Sequence, residues 1–370
     1  MGKVKKINIL FVGSFLTKSK TGGVGGQMFA SKTLIESNLS DSIHWIKIDS
    51  TAHSNISNSI LIRLFRAFLR LGLLCFHLIF SRVDKVLIFT VHGASFKEKG
   101  LMAIIAKAFG KYVIIAPRSG MIIDDFKGKG KEFIAKVFSK VDVVICQSTT
   151  WKHTFEKEFP LVATTKFQVV CNAIDTSKYN FAVLDKVDPV VEVVFIAWVD
   201  SNKGVFELIG AAENLMREGQ SFKLTMCGHG KDFDAIAALV KQKKLENTVQ
   251  LLGWIYEEEK YKILARADVF VLPTYYEGMP NALLEAMSSG LPSVVTSVGS
   301  IPDMVTDGVH GLLIKPRNTL QLQDALRTLI NDAALREKFG NAAREHILNE
   351  NAMAVIIEKY RKIFLTGVVS

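Results

Sequence analysis

Little in this 370-residue chain would cross-link it or carry it through a bilayer. Its four cysteines, Cys75, Cys146, Cys171 and Cys227, are widely separated and form no CxxC pair. That argues against a disulfide framework and against a zinc site, and it suits a reducing cytosol. No apolar run has the character of a transmembrane helix. The longest tract, residues 61–80, is interrupted by Arg63, Arg66, Arg70 and His77, whereas a spanning helix needs about 20 predominantly apolar residues. The opening MGKVKKINILFVGS is basic. Its apolar part is only strand-length and leads into a glycine loop, so we expect no secretory leader. No segment is low-complexity.

What the chain does have is apolar substance. Hydrophobic residues make up 49% of it, enough for well-packed cores, and the length fits two domains better than one. Charge is unevenly shared. The formal net charge is +10, yet residues 1–180 carry 26 Lys and Arg against 12 Asp and Glu, while residues 181–370 carry 20 against 24. The two halves therefore suit different partners. A basic half attracts nucleic acid or an anionic membrane surface; such surfaces also occur with no partner at all.

Short β-branched runs alternate with helix-length segments throughout. In the first half they read INILFV, HWIKI, KVLIFTV, YVIIAP, VDVVICQ and FQVVC; in the second, VEVVFIAW, FKLTMCG, VQLLG, VFVLP, PSVVTS and LLI. Continuous apolar strands separated by helices predict an α/β chain with parallel sheets covered on both faces. The series restarts near Val191, after a polar stretch at 176–189 that reads as a linker. We therefore expect a domain over 1–180, a second over 190–350, and a terminal helix within 351–370. Ligands of such sheets bind at the carboxyl ends of the strands.

The densest motif is PTYYEGMPNALLEAMSSG, residues 273–290. It leaves strand VFVLP, turns at Glu277-Gly278 and enters a helix near Pro280, a residue suited to a first helical turn. Backbone N–H groups at such a start bind anionic or hydroxyl groups. Helical spacing puts Glu285 on one face with Asn281, Ala282, Ser288 and Ser289; by spacing alone it reads better as a solvated helix charge. In FIAWVDSNKGVFELI, residues 195–209, Lys203 and Gly204 open a helix. That arrangement suits a diphosphate, and it also describes many surface lysines.

Further motifs sit at other strand ends. TGGVGGQ, residues 21–27, carries Gly22, Gly23, Gly25 and Gly26, which let the backbone approach a phosphate or an acceptor. It is no dinucleotide fingerprint, because it begins about ten residues past the strand. His92 follows KVLIFTV, Arg118 follows YVIIAP, and Gly228 and Gly230 lie in GHGKDFD after FKLTMCG. Asp232 and Asp234 form a DxD string, a pattern that elsewhere holds a nucleotide-bound metal. At a helix start two acids are favourable without one, and we expect no metal site.

EGMPNALLE resembles the paired-glutamate motif (Glu, seven residues, Glu) of the family-4 retaining glycosyltransferases, also called group 1. The flanking LLGWIYEEEKYKILARADVFVLP, AMSSGLPSVVTSVGSIPDMV and DGVHGLLIKP match the order and spacing of that family. The resemblance covers residues 193–316 closely and the N-terminal half more loosely. It implies the GT-B fold, two tandem doubly wound domains facing a central cleft. The first domain takes the acceptor side, the second takes a nucleotide-sugar donor, and the last helix crosses back to the first.

The resemblance also implies roles. Glu277 would contact hydroxyls of the donor sugar, and Glu285 would accept from the ribose diol. Backbone amides of Met279, Asn281 and Ala282 would sit near the sugar and phosphates, and Ile255 would hold the base edge through its main chain. Lys203 would stabilise the leaving diphosphate. The family pairs this lysine with an arginine five positions earlier, where this chain has Trp198; Arg118 is one candidate replacement. His92 would hydrogen-bond the donor sugar, with Gly25, Gly26, Gly228 and Gly230 lining the site. CNAID, residues 171–175, resembles a hinge element.

The activity so implied is metal-independent transfer of a hexose-type sugar, with retained anomeric configuration, to a glycan acceptor in bacterial surface polysaccharide synthesis. No cofactor and no nucleic acid is expected. The tract ILIRLFRAFLRLGLLCFHLIF puts Arg63, Arg66 and Arg70 at helical spacing beside large apolar residues. It reads either as an interfacial helix on an anionic leaflet, implying a lipid-linked acceptor and a cytoplasmic, peripheral location, or as a core helix with one charged edge. Alternatives for the whole chain are a transfer-deficient binding protein, raised by Trp198, and a nucleotide-sugar hydrolase or epimerase on the same fold.

Overall fold

Each of the twelve apolar runs forms a strand, and each strand pairs in parallel with its neighbours. A computed structural model describes residues 6–15, 26–51, 60–126, 128, 130–179 and 190–366. The chain divides into two compact units, Met1–Ala173 with Ala354–Ser370, and Ile174–Met353.

The first unit alternates β1 (Ile7–Gly13), α1 (Gly26–Glu36), β2 (Ile43–Asp49), α2 (Ile60–Phe80), β3 (Lys85–Thr90), α3 (Ala94–Ala108) and β4 (Tyr112–Pro117). It continues through α4 (Ile122–Asp125), α5 (Lys131–Lys140), β5 (Val143–Cys146), α6 (Thr149–Glu158) and β6 (Phe167–Val169). The sheet order is β2-β1-β3-β4-β5-β6. Runs such as Ile9 to Val12 and Val86 to Phe89 are wholly buried, as strands covered on both faces must be. Below them Trp151, Phe138, Phe155 and Phe167 form an aromatic core.

The second unit runs through β7 (Val191–Ile196), α7 (Val205–Arg217), β8 (Phe222–Cys227), α8 (Phe233–Gln242), β9 (Val249–Gly253), α9 (Glu257–Arg266) and β10 (Val269–Leu272). Next come α10 (Asn281–Ser288), β11 (Ser293–Thr296), α11 (Ile301–Met304), β12 (Gly311–Ile314), α12 (Thr319–Asn331) and α13 (Ala333–Glu350). Its sheet order is β12-β11-β10-β7-β8-β9. The last helix, α14 (Met353–Thr366), joins the first unit: Phe364 meets Trp45, and Tyr360 accepts from Arg118.

The division falls at Ala173, ahead of the expected boundary at 180. The reason lies in hydrogen bonding: Ile174 pairs with Ala352 in an isolated bridge, and its carbonyl accepts from Met353 N. The 176–189 stretch is therefore not linker throughout, since Thr176–Lys178 forms a 3-10 turn.

Helix α2 departs from one of its two expected forms. Leu74 and Leu78 are buried, but Leu61, Phe65, Phe68, Leu73, Phe76 and Phe80 are exposed, Leu61 at 76% and Phe80 at 73%. A core helix would hide that face. Arg70 leaves the basic edge, because it grips Glu98 of α3 with two bonds of 2.6 and 2.9 Å. No described helix is long and apolar enough to cross a membrane.

Trp151→Ala removes the largest fully buried side chain. Truncation of such a residue costs about 3–5 kcal/mol, so urea unfolding should show a loss of that size; a loss below ~1 kcal/mol would contradict the packing described.

Candidate functional site

The second sheet begins at its middle with β7, steps outward to β8 and β9, and then crosses to β10 on the other flank of β7. Crossovers leaving β7 and β10 therefore run in opposite directions along the sheet, and this switch point is where open α/β sheets make a ligand crevice. Lys203 closes the 3-10 turn Ser201–Lys203 after β7, and Glu277 lies in the loop after β10. Their side chains meet as an ion pair, Nζ to Oε1, with both groups mostly buried.

Backbone contacts fix that meeting. Tyr275 N donates to Asn202 O at 2.8 Å, and Thr274 Oγ1 donates to the same carbonyl at 3.2 Å. Gly204 follows at φ 70°, with Pro273 O where a Cβ would stand, 2.1 Å away. Any side chain there would push the two loops apart. On the other side Ser300 donates from both N and Oγ to Gly278 O, holding the glutamate loop against the β11 loop.

Gly228, at φ 135°, lies so close to the β7 loop that a Cβ would stand 1.8 Å from Ala197 O. Its N–H donates to Gly253 O at 2.7 Å, so the loops after β7, β8 and β9 converge on one glycine. Gly230 accepts from Phe233 N at 3.2 Å. Ile255 follows Trp254 beyond β9 and is half-buried. Trp198, where the family has arginine, is 38% exposed and stands edge-on to Trp254 at 4.6 Å.

Pro280 is the residue ahead of helix α10, and its carbonyl accepts from Leu283 N and Leu284 N. Helical turns begin at Asn281, one residue later than Pro280 suggested. Met279 is buried, and Asn281 and Ala282 are half-buried. Glu285 is no solvated charge: it is only 4% exposed. Lys260 of α9 sits 2.7 Å from its Oε1, and Tyr179 lies beside the same carboxylate and lowers its proton affinity. Burial holds the Glu285 carboxyl above the usual carboxylate range, and Lys260 and Tyr179 offset only part of that rise. Lys260 and Tyr179 are not legible from sequence, because no spacing links residues 179, 260 and 285.

Asp232 is committed as well, accepting from Ser201 N at 2.7 Å. Among the described residues no three His, Cys, Asp or Glu side chains gather as metal ligands. Asp234 lies in the first turn of α8.

In the first sheet the corresponding reversal lies between β1 and β3. His92 follows β3, and its Nδ1 is 3.1 Å from Ser119 Oγ. The same loop is tied by Gly93 N donating to Asp125 at 2.6 Å. Arg118 is engaged within this unit: its terminal nitrogens donate to Asn172 at 2.7 Å and Tyr360 at 2.6 Å, and its guanidinium covers Phe89. Gly25, with Gly22 and Gly23, lies outside the described residues, and Gly26 is the first residue of α1.

Comparison with known proteins agrees with this arrangement. Residues 177–346 match the family described as glycosyl transferases group 1. Over 199 residues the chain is 26% identical to the glycogen synthase of Mycobacterium tuberculosis, covering 54% of this chain and 48% of the relative. Over 193 residues it is 28% identical to the amylovoran biosynthesis glycosyltransferase AmsK of Erwinia amylovora, covering 50% and 46%. The chain thus spans about half the length of these curated relatives. The solved structure of Anabaena HepE in complex with UDP-glucose superposes with a TM-score of 0.75 at 16% identity, over 97% of this chain and 99% of that one. The likeness establishes a GT-B fold.

Contacting, mostly buried partners couple by about 0.5–3 kcal/mol. A cycle of Lys203→Met, Glu277→Gln and the double variant, followed by chemical denaturation, should give a coupling in that range. Purely additive losses would show that the pair does not hold the loops.

Proposed function

We propose that this chain, whose residues 177–346 match the family described as glycosyl transferases group 1 and whose fold is GT-B, transfers a hexose-type sugar from a nucleotide sugar to a glycan acceptor. The observation that carries this reading is the Lys203–Glu277 pair at the switch point of the second sheet. It puts a cation and a hydroxyl-binding carboxylate side by side, one for the departing diphosphate and one for the sugar. HepE is solved with UDP-glucose, which supports a nucleotide sugar as donor.

The chemistry proceeds without a metal. As the bond from sugar C1 to phosphate oxygen breaks, Lys203 takes up charge developing on the diphosphate, aided by amides at the start of α10. The acceptor oxygen bonds to C1 on the face the diphosphate leaves, and its proton passes to a phosphate oxygen. Configuration at C1 is thereby retained. Glu277 holds the sugar through its hydroxyls, and Glu285 takes the ribose diol. Trp198 favours a second reading, a nucleotide-sugar-binding protein with impaired transfer, because an exposed indole stands where the family supplies a second cation.

Glycogen and amylovoran in the names of the relatives support a polysaccharide product, and α2 supports a lipid-linked acceptor at the inner face of the cell membrane. Its exposed apolar stripe is flanked by exposed Arg63 and half-buried Arg66. That is the pattern of a helix lying in an interface, with apolar side chains below the headgroups and cations beside the phosphates.

Glu277→Ala and Lys203→Ala should each lower sugar transfer from labelled nucleotide sugars to membrane extracts by about 100-fold or more, as loss of transition-state contacts does, while circular dichroism stays unchanged. Unaltered turnover in either variant overturns the transferase reading. Donor consumed at the same rate with and without acceptor would indicate a hydrolase. In flotation with phosphatidylglycerol vesicles the wild type should rise with the lipid in low salt, and Phe65→Glu with Phe68→Glu should stay below. Equal behaviour of the two proteins removes the membrane from the proposal.

A further inference from the structure

Glu285 poses a physical problem that the family motif leaves open. An ionised carboxylate with 4% exposure is costly unless it is paired and hydrogen-bonded. Here the partners come from separate parts of the second unit. Lys260 supplies the countercharge from α9 at 2.7 Å. Tyr179, itself 5% exposed, brings its hydroxyl into the neighbourhood of the same carboxylate, and the two groups influence each other electrostatically.

Tyr179 is clamped in turn. Its ring meets Tyr261 edge-on at 5.2 Å. Its carbonyl accepts from Arg344 of α13 at 2.8 Å, and the same guanidinium nitrogen donates to Ser288 O at the end of α10. Arg344 thus ties Tyr179 to the helix that bears Glu285. Two oxygens of a carboxylate offer about four acceptor sites. Lys260 occupies one, and with the neighbouring Tyr179 hydroxyl turned to a second, two are left for the paired O–H groups of a vicinal diol.

We propose that Lys260 and Tyr179 are positioning residues for the nucleotide ribose: they hold the Glu285 carboxylate as a fixed acceptor whose two remaining sites meet the 2′- and 3′-hydroxyls. This rests on the reading of Glu285 as the ribose contact. It adds that discrimination between ribose and deoxyribose is set by residues 179 and 260, which do not touch the nucleotide.

The test is calorimetric titration of UDP, GDP and ADP, and of their 2′-deoxy counterparts, into the wild type and four variants. The wild type should prefer the best-bound ribonucleotide over its 2′-deoxy form by about tenfold or more, the size of one charge-assisted hydrogen bond. Lys260→Met should bring that ratio close to one while affinity for the 2′-deoxy form is kept. Lys260→Arg should restore the preference, and Tyr179→Phe should reduce it in part. Lys260→Gln serves if the Met variant is unfolded by circular dichroism. A purely structural role would weaken both nucleotides alike. A folded Lys260→Met or Lys260→Gln protein with the full wild-type ratio overturns this inference alone. Failure of the wild type to bind any ribonucleotide overturns the donor-site reading and this inference with it.

Discussion

The ion pair between Lys203 and Glu277 depends on a constraint of connection. Parallel strands cannot be joined by tight turns, so each strand must be followed by a crossover before its neighbour is laid down. In the second unit the crossovers run outward from β7 in one direction and then in the other. Only at that reversal do two adjacent strands, β7 and β10, send their crossovers in opposite directions along the sheet while their first loop residues stay side by side. Opposite charges 74 positions apart in the chain become neighbours because the sheet has a middle. Glycine makes the meeting close: at Gly204 and Gly228 backbone touches backbone, with no room for a β-carbon.

Much of this is legible in the amino-acid sequence itself. Twelve apolar runs of strand length, each bounded by polar or glycine-rich segments, indicate twelve parallel strands, because a strand covered on both faces has no polar side to show. The spacing from Glu277 to Glu285 and the placement of Lys203 at a helix start reappear as geometry. The partners of Glu285 are another matter. Lys260 looks like one more charge in a charged helix, and Tyr179 lies where polar residues suggest a linker. Their meeting is a product of packing among α9, α10, α13 and the start of the second unit, and pairwise spacing carries no trace of it.

Helix α2 shows the opposite failure. Its sequence announces an amphipathic helix, with apolar and basic residues at helical spacing, but periodicity alone does not say which face turns inward. Leu74 and Leu78 take the interior, and Phe65, Phe68 and Phe76 are left outside. The arginines also differ among themselves, since Arg70 is spent on Glu98 while Arg63 stays exposed. A charge counted in sequence is thus not a charge available at a surface.

The tryptophans carry a consequence of a different kind. The chain has four, and they fall two to a unit: Trp45 and Trp151 in the first, Trp198 and Trp254 in the second. Trp151 is sealed in an aromatic core, whereas Trp198 is partly open to solvent and edge-on to its companion. Indole emission is sensitive to water, so the two units differ optically as well as chemically. Blue emission from Trp151 reports the integrity of the first core. Redder, quencher-accessible emission from Trp198 reports the carboxyl edge of the second sheet. One cuvette can therefore follow the melting of one unit and events at the strand ends of the other as separate signals, with no label attached.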